Sequence, residues 1–141
     1  MSMPQWWIDR IADYIPDVTA AINQAKQLKQ RRTTILAALD AARKDRQAML
    51  KQRKDADVSA QDDMVVQLGK EWSQTETDLA TLQKEVFLLI PRYAAIVAAY
   101  EREKKPKMEP KVSQALRKAE RLKNELNRTY AAIRRQRKTG K

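Results

Sequence analysis

The fold is decided by the stretch VVQLGKEWSQTETDLATLQKEVFLL, which occupies residues 65–89. Apolar side chains recur in it at alternating intervals of three and four residues, which is the spacing of a coiled-coil seam. Thr75 is the one polar member of this seam, which consists of Val65, Leu68, Trp72, Thr75, Leu79, Leu82, Val86 and Leu89. Because a single helix cannot bury such a stripe, the pattern predicts a helix that packs against partner helices.

The composition favours an all-helical protein without the common catalytic side chains. Of the 141 residues, only 2 are Gly, 33% are charged, and Ala, Glu, Lys, Leu, Arg and Gln dominate, as is typical of long helices. The chain has no Cys and no His, which excludes thiol nucleophiles, disulfides, the usual zinc sites and acid–base chemistry based on His. It also lacks a phosphate-binding glycine loop. We therefore expect a protein that is not an enzyme and that holds no cofactor or metal.

Residues 1–16 are predicted to form a short amphipathic N-terminal helix that Pro16 ends. Its apolar face contains Trp7, and Trp6 projects to the polar side. Packing of the apolar face against the bundle is the plainer interpretation. An exposed tryptophan is unusual and common at binding hot spots, so Trp6 and Trp7 are also candidates for docking the N-terminus on a partner protein. A membrane anchor is disfavoured, because the polar face carries more acid than base.

Residues 17–104 are predicted to form an antiparallel helical hairpin with its tip at about 54–62 and a kink at Pro91. Ser59 followed by Asp62 is a signature of a helix start. The first helix of the hairpin continues the heptad spacing but places arginines at three seam positions, from which their charged ends can reach solvent. These are Arg32, Arg46 and Arg53, and the last two are candidates for partner docking near the tip.

The hairpin is predicted to join a further helix in a bundle at one end. Residues 105–110 are a linker with prolines at 106 and 110, and residues 111–141 are a basic C-terminal helix and tail. With a turn near residue 57, the numbers of facing residues add to about 115, which sets Leu28 against Phe87. Residues 86–100 are apolar on nearly every side and are predicted to lie where the helices overlap. The fold class is therefore all-α, with a three/four-helix bundle at one end and a two-helix arm over roughly 40–75.

The net charge of +11 is concentrated at the C-terminal end. Residues 1–58 carry +4, residues 59–100 carry −3 and residues 101–141 carry +10. Such asymmetry predicts an acidic partner for that end, either nucleic acid or an acidic protein surface. The candidate contact residues are Arg117, Arg121, Arg128, Arg134, Arg135, Arg137 and Lys138. Tyr130 lies among them and could stack on a base, although it also completes the apolar stripe of the last helix.

The hairpin outline and the basic charge are similar to those of the stalk proteins of type III secretion and flagellar export. Small helical proteins of bacteriophage virions share the composition. This likeness rests on architecture and charge and transfers no residue roles. What it implies is a place in a large assembly such as a virion or a secretion machine. The N-terminus lacks a signal-peptide pattern and the most apolar run is too short to cross a bilayer, so we expect a soluble protein made in the cytoplasm.

Three functions are compatible with these patterns. The first is a non-catalytic structural or adaptor subunit of a larger assembly, which contacts protein subunits or copies of itself. The second is a protein that binds nucleic acid without sequence preference through residues 111–141, since no recognised binding motif is present. The third is a regulator or inhibitor that inserts its arm into another protein.

Overall fold

The computed structural model describes residues 3–102 and 110–137, and the side chains of 9–102 and 112–137. These residues form three helices: α1 (Met3–Gln52), α2 (Ser59–Arg102) and α3 (Pro110–Arg135). The prediction of an all-helical chain is confirmed. At about 1.5 Å per residue, α1 is roughly 75 Å long, α2 about 66 Å and α3 about 39 Å. The predicted linker at 105–110 lies outside the described residues, apart from Pro110, which begins α3.

The N-terminal segment is the start of α1 and not a separate helix, which corrects the expectation that Pro16 ends it. A proline inside a helix costs one hydrogen bond to the carbonyl four residues earlier, here that of Ala12. Ala12 and Pro16 both lie on the exposed side, where water can hydrate the freed carbonyl. On the opposite side, Tyr14 and Val18 are fully buried. Their burial offsets the cost of the proline, and α1 continues through it.

The connection between α1 and α2 occupies residues 53–58. The N–H of Ser59 at the start of α2 donates a hydrogen bond of 3.0 Å to the Asp57 carboxylate, and the Ser59 hydroxyl donates to the same oxygen. These two bonds hold the pKa of Asp57 below its ordinary value. Asp57, and not the predicted Ser59, therefore supplies the oxygen that caps this helix.

Ion pairs between α1 and α2 show the register of the two helices. Arg46 bonds Asp62 at 2.8 Å, Arg31 bonds Asp78 at 2.8 Å, and Asp17 bonds Arg92 at 2.6 Å. As the residue number rises along α1 it falls along α2, so the two helices run in opposite directions. The numbers of the paired residues add to 108 or 109, which differs from the predicted 115 by about one heptad.

Helix α1 is the centre of the bundle, because α2 and α3 each pack extensively on it and contact each other much less. The main core contains side chains from all three helices, among them Val18, Leu82 and Leu126. A second, smaller cluster of Ile35, Leu39 and Trp72 lies farther along α1 and α2. The expectation that residues 86–100 are enclosed is wrong on one side. Phe87 is 62% and Leu88 72% exposed, because α3 covers α1 and leaves the outer face of α2 free.

Tyr14 anchors the packing of α1 against α2 near the N-terminal end of the bundle. Its ring lies 5.9 Å from the ring of Tyr93, and the guanidinium of Arg92 lies 5.6 Å from its centroid. Its buried hydroxyl has no hydrogen-bond partner among the described residues. Burial and the neighbouring Tyr93 raise the pKa of Tyr14 to about 12, against an opposing effect of Arg92.

We expect Tyr14→Phe to leave the free energy of unfolding unchanged or to raise it by about 1 kcal/mol, because it removes a buried hydroxyl without a partner. In the natural protein the raised pKa keeps the phenol neutral in the folded state. Above pH 10 the unfolded chain loses this proton while the folded protein keeps it. The free energy of unfolding is therefore independent of this group below pH 10 and falls between about pH 10 and 12, by up to about 2–3 kcal/mol. Urea unfolding at pH 8 and pH 11.5 measures both effects. A variant that is less stable at pH 8, or that loses as much stability at high pH as the natural protein, would contradict this role of Tyr14.

Candidate functional site

Helix α3 is held on α1 by an apolar stripe that follows helical spacing. Its fully or nearly fully buried members are Val112, Ala119, Leu126, Tyr130 and Ile133. These positions recur every three, four or seven residues, so they share one side of the helix. The remaining sides of α3 are left for charged residues, and the bundle fixes their direction.

Polar contacts at the middle of α3 tie it to both other helices. Lys26 of α1 forms an ion pair of 2.9 Å with Glu125. The ammonium of Lys123 lies 4.8 Å from the ring centroid of Tyr93 on α2. Burial and the charge of nearby Glu120 raise the pKa of Tyr93, so its ring stays neutral at ordinary pH. The contact between Lys123 and Tyr93 is a cation–π interaction.

Hydrogen bonds of Gln136 and Arg32 hold the C-terminal end of α3 against α1. The side-chain amide of Gln136 donates to the Thr33 hydroxyl at 2.7 Å and to the Lys29 carbonyl at 3.2 Å. Arg32 donates from Nη2 to the Gln136 carbonyl at 3.2 Å. The bond from Arg32 satisfies a carbonyl just beyond the end of α3, and all three bonds hold that end against α1.

Arg32 is a buried arginine, with its side chain only 3% exposed. Its guanidinium lies 4.1 Å from the Trp72 ring centroid and bonds Glu76 at 3.0 Å. Burial lowers the pKa of Arg32 and the carboxylate of Glu76 opposes that shift, but an arginine retains its proton in proteins. The expectation that Arg32 reaches solvent from the seam is therefore wrong. The arginine joins α1, α2 and the end of α3.

The outer face of α3 carries a set of arginines and lysines, here called the basic face. It consists of the exposed residues Arg117, Lys118, Arg121, Arg128, Arg134 and Arg135 of α3, together with the exposed Arg137 two residues beyond the end of the helix. Within the described ranges, none of these side chains has a carboxylate within 4 Å. Arg121, Arg128 and Arg135 repeat every seven residues, so they lie in a row at intervals of about 10.5 Å. Six of the seven predicted contact residues for an acidic partner thus lie on this face, and the seventh, Lys138, lies outside the described residues.

A shallow groove of about 560 Å³ runs along the basic face. It is lined by Lys118, Arg121, Leu122, Asn124, Glu125 and Arg128. Leu122 is half-buried and gives the groove an apolar part, while Glu125 is already paired with Lys26. The groove therefore offers both positive charge and an apolar contact.

Tyr130 is only 6% exposed and packs in the core, so its ring is not available to stack on a base. Arg134 lies over that ring, 5.8 Å from its centroid. The packing role for Tyr130, and not the stacking role, is the one that the structure supports.

The other predicted docking residues are dispersed. Arg46 is partly buried and paired with Asp62, and Arg53 lies at the turn with Asp55 3.5 Å away. Trp6 and Trp7 belong to α1, but their side chains lie outside the described ones. None of these residues lies in the groove of the basic face.

Two features were missed at the level of sequence. One is the contact of Arg32 with Trp72, for which the only signal is a charged residue at a seam position opposite an aromatic one. The other is the exposure of Phe87 and Leu88. Phe87 and Leu88 fall outside the a/d positions of the seam, which is the one sign in the sequence that they could face solvent.

None of the described helices is long and apolar enough to span a bilayer. In the part of the chain that the structure describes, no three acidic side chains are grouped closely enough to hold a metal ion.

The chain matches no protein-family model, no curated protein sequence and no solved structure.

Proposed function

We propose that this protein is a non-catalytic adaptor or structural subunit of a larger assembly, and that the basic face of α3 binds an acidic protein surface. The observation that carries the proposal is the row of exposed arginines without acidic partners on a helix held in place by the bundle. Exposed cations at fixed positions attract an acidic surface and orient it. The hairpin of α1 and α2 would act as the strut that carries this face.

The apolar part of the groove and the lack of an exposed aromatic ring on the described part of α3 favour a protein partner over nucleic acid. The groove combines arginines with the half-buried Leu122, which suits a partner that presents acidic and apolar side chains together. Among the described residues of α3, the single aromatic ring is that of Tyr130, which is buried.

A sequence-independent nucleic-acid-binding protein is the second candidate. It is favoured by the spacing of Arg121, Arg128 and Arg135, because guanidinium groups bind phosphate in a bidentate manner and need no sequence motif to do so. The third candidate, a regulator or inhibitor that inserts the two-helix arm into another protein, is not supported by a comparable surface on the described residues of that arm.

We expect the full chain to bind a fluorescently labelled polyglutamate at least as tightly as a duplex DNA of equal total charge. Fluorescence anisotropy at low and moderate salt measures both affinities. A preference for the duplex of more than about tenfold, with a steeper dependence on salt, would replace the adaptor by the nucleic-acid candidate. Binding of neither probe at low salt would reject both.

A further inference from the structure

We propose that the outer face of α2 is a self-association surface, on which a second copy of this chain packs in the antiparallel direction. The proposal goes beyond the proposed function and does not depend on the basic face of α3. It rests on the chemistry of one exposed helix face, on a groove beside that face, and on the match of the face to itself.

The outer face of α2 is almost free of charge over 22 residues. Between residues 77 and 98, Lys84 is the one charged residue among the fully exposed side chains, and the others are Thr, Ala, Pro, Phe and Leu. Phe87 and Leu88 are the largest of them and are 62% and 72% exposed. All of these positions fall within an arc of about 140° at 100° per residue, so they form one continuous stripe. The charged residues Asp78, Glu85 and Arg92 are half-exposed and lie beside the stripe, towards α1.

Exposure of two large apolar side chains on an uncharged stripe indicates an interaction surface. Single exposed apolar residues are common on protein surfaces, but here the two lie next to each other and most of their neighbours on the stripe are also apolar. Ala80, Ala94 and Ala95 flank the two bulky residues along the helix. Small side chains allow another helix to approach closely, and the bulky pair then fills the centre of the contact.

A groove beside Leu88 supplies the second observation. It lies between α1 and α2 and has a volume of about 330 Å³. Its lining is partly apolar, with Ala20, Ala21, Leu88 and Leu89, and partly polar, with Gln24, Glu85 and the ion pair of Asp17 with Arg92. The exposed Leu88 therefore stands between the stripe and an open space, while Phe87 lies on the other edge of the stripe. A two-fold interface needs the same surface on both copies, and each copy would supply a Leu88 beside its own groove.

The stripe also matches itself in an antiparallel register. If a two-fold axis passes between residues 87 and 88, the numbers of facing residues add to 175. Phe87 then faces Leu88, and Ala80 faces Ala95. Lys84 faces Pro91, so the one charge on the stripe does not meet its own copy.

Charge opposes a second copy less on this face than on the basic ones. The chain has a net charge of +11, and two copies repel each other through most of their surfaces. Residues 59–100 carry only −3, and Lys84 is the single fully exposed charge on the stripe, so two copies that meet there bring less like charge together. The basic α3 packs mainly on α1 and contacts α2 little, so its charges stay away from the interface.

The stripe is about 32 Å long and about 10 Å wide, so two copies bury less than about 1,000 Å² in total. This area is at the low end of specific interfaces, and we expect a dimer with a dissociation constant in the micromolar range. Sedimentation velocity over about 1–200 µM protein should show a shift from the 16.3 kDa monomer to twice that mass.

Phe87→Glu is expected to hold the chain in the monomeric state across this range, because two copies would bury an unpaired carboxylate at the axis. Met64→Glu is the matched control. Met64 is 52% exposed on the same helix but projects away from the stripe, so this variant should dimerise like the natural chain. Circular dichroism should show the same helix content for both variants. A natural chain that stays monomeric at 200 µM, or a dimer that Phe87→Glu leaves intact, would overturn the proposal.

Disulfide formation tests the register, since the chain has no cysteine of its own. An equimolar mixture of Ala80→Cys and Ala95→Cys chains should form a mixed disulfide under mild oxidation. Either chain alone should not, because its two cysteines would lie about 22 Å apart, beyond the reach of a disulfide. Efficient cross-linking of Ala80→Cys chains with each other would show a parallel pair and contradict the antiparallel arrangement.

Discussion

Replacing Trp72 by alanine is expected to lower the free energy of unfolding by about 3–5 kcal/mol, the range measured for truncation of large buried aromatic side chains. Trp72 is only 6% exposed and packs with Ile35 and Leu39 in the smaller apolar cluster. This cluster lies beyond the end of α3, so only α1 and α2 supply its contacts. Neighbouring side chains therefore have little means of filling the space that the ring leaves.

The loss at Trp72 extends to the buried charge beside it. The guanidinium of Arg32 lies 4.1 Å from the ring centroid, and two of its nitrogens, Nε and Nη1, have no hydrogen-bond partner among the described residues. Without the ring, a nearly buried cation faces an empty space, which adds to the cost of the cavity.

Urea unfolding followed by circular dichroism measures this prediction. Val66→Ala is the matched control, because Val66 lies on the same helix and is 59% exposed, so its truncation should change stability by less than about 0.5 kcal/mol. A loss below about 1 kcal/mol for Trp72→Ala would show that the ring is not packed between α1 and α2.

The seam of residues 65–89 is the part of the fold that the sequence predicts best. Of its eight positions, Trp72, Thr75, Leu82, Val86 and Leu89 are buried, and the others are partly buried. The register was harder to predict. A heptad seam still packs when one helix slides by seven residues. Spacing alone therefore does not distinguish a register in which the numbers of facing residues on α1 and α2 add to 115 from one in which they add to 108. Ion pairs such as that of Arg46 with Asp62 depend on the length of the turn, which the pattern does not specify.

Two of the local errors have a common physical cause. Pro16 was expected to end a helix and Arg32 to reach solvent because both are unfavourable where they lie. In each case tertiary contacts outweigh the local preference. Burial of Tyr14 and Val18 carries α1 through the proline, and Trp72 with Glu76 holds the arginine inside. Single-sequence patterns do not contain these contacts.

The basic face could be predicted from charge alone, because its residues lie between the apolar positions of a helix. The exposed stripe of α2 could not. Whether Phe87 and Leu88 are covered depends on whether α3 packs against α1 or against α2, and the apolar residues of α3 fit either partner. The structure places α3 on α1, so the stripe remains open.

Replacing Arg121, Arg128 and Arg135 together by glutamine is expected to weaken binding of polyglutamate roughly 10- to 100-fold. Each exposed ion pair is worth up to about 1 kcal/mol, and three such contacts with the acidic probe are lost. Glutamine has a helix propensity close to that of arginine, so α3 should stay folded. The salt dependence of binding should also become shallower, because fewer charges take part.

A second triple variant controls for the change in net charge. Lys44, Lys51 and Lys54 are exposed on or near the far part of the hairpin, and their replacement by glutamine also lowers the net charge from +11 to +8. These lysines lie far from the basic face, so their loss should change the affinity by less than about threefold.

The measurement that tests the role of the basic face most directly is an anisotropy titration of labelled polyglutamate with the natural chain and both triple variants at the same salt concentration. We expect the natural chain and the lysine variant to bind similarly, and the arginine variant to bind at least tenfold more weakly. If the two variants lose affinity equally, binding follows net charge alone, and the basic face of α3 is not the partner-binding surface.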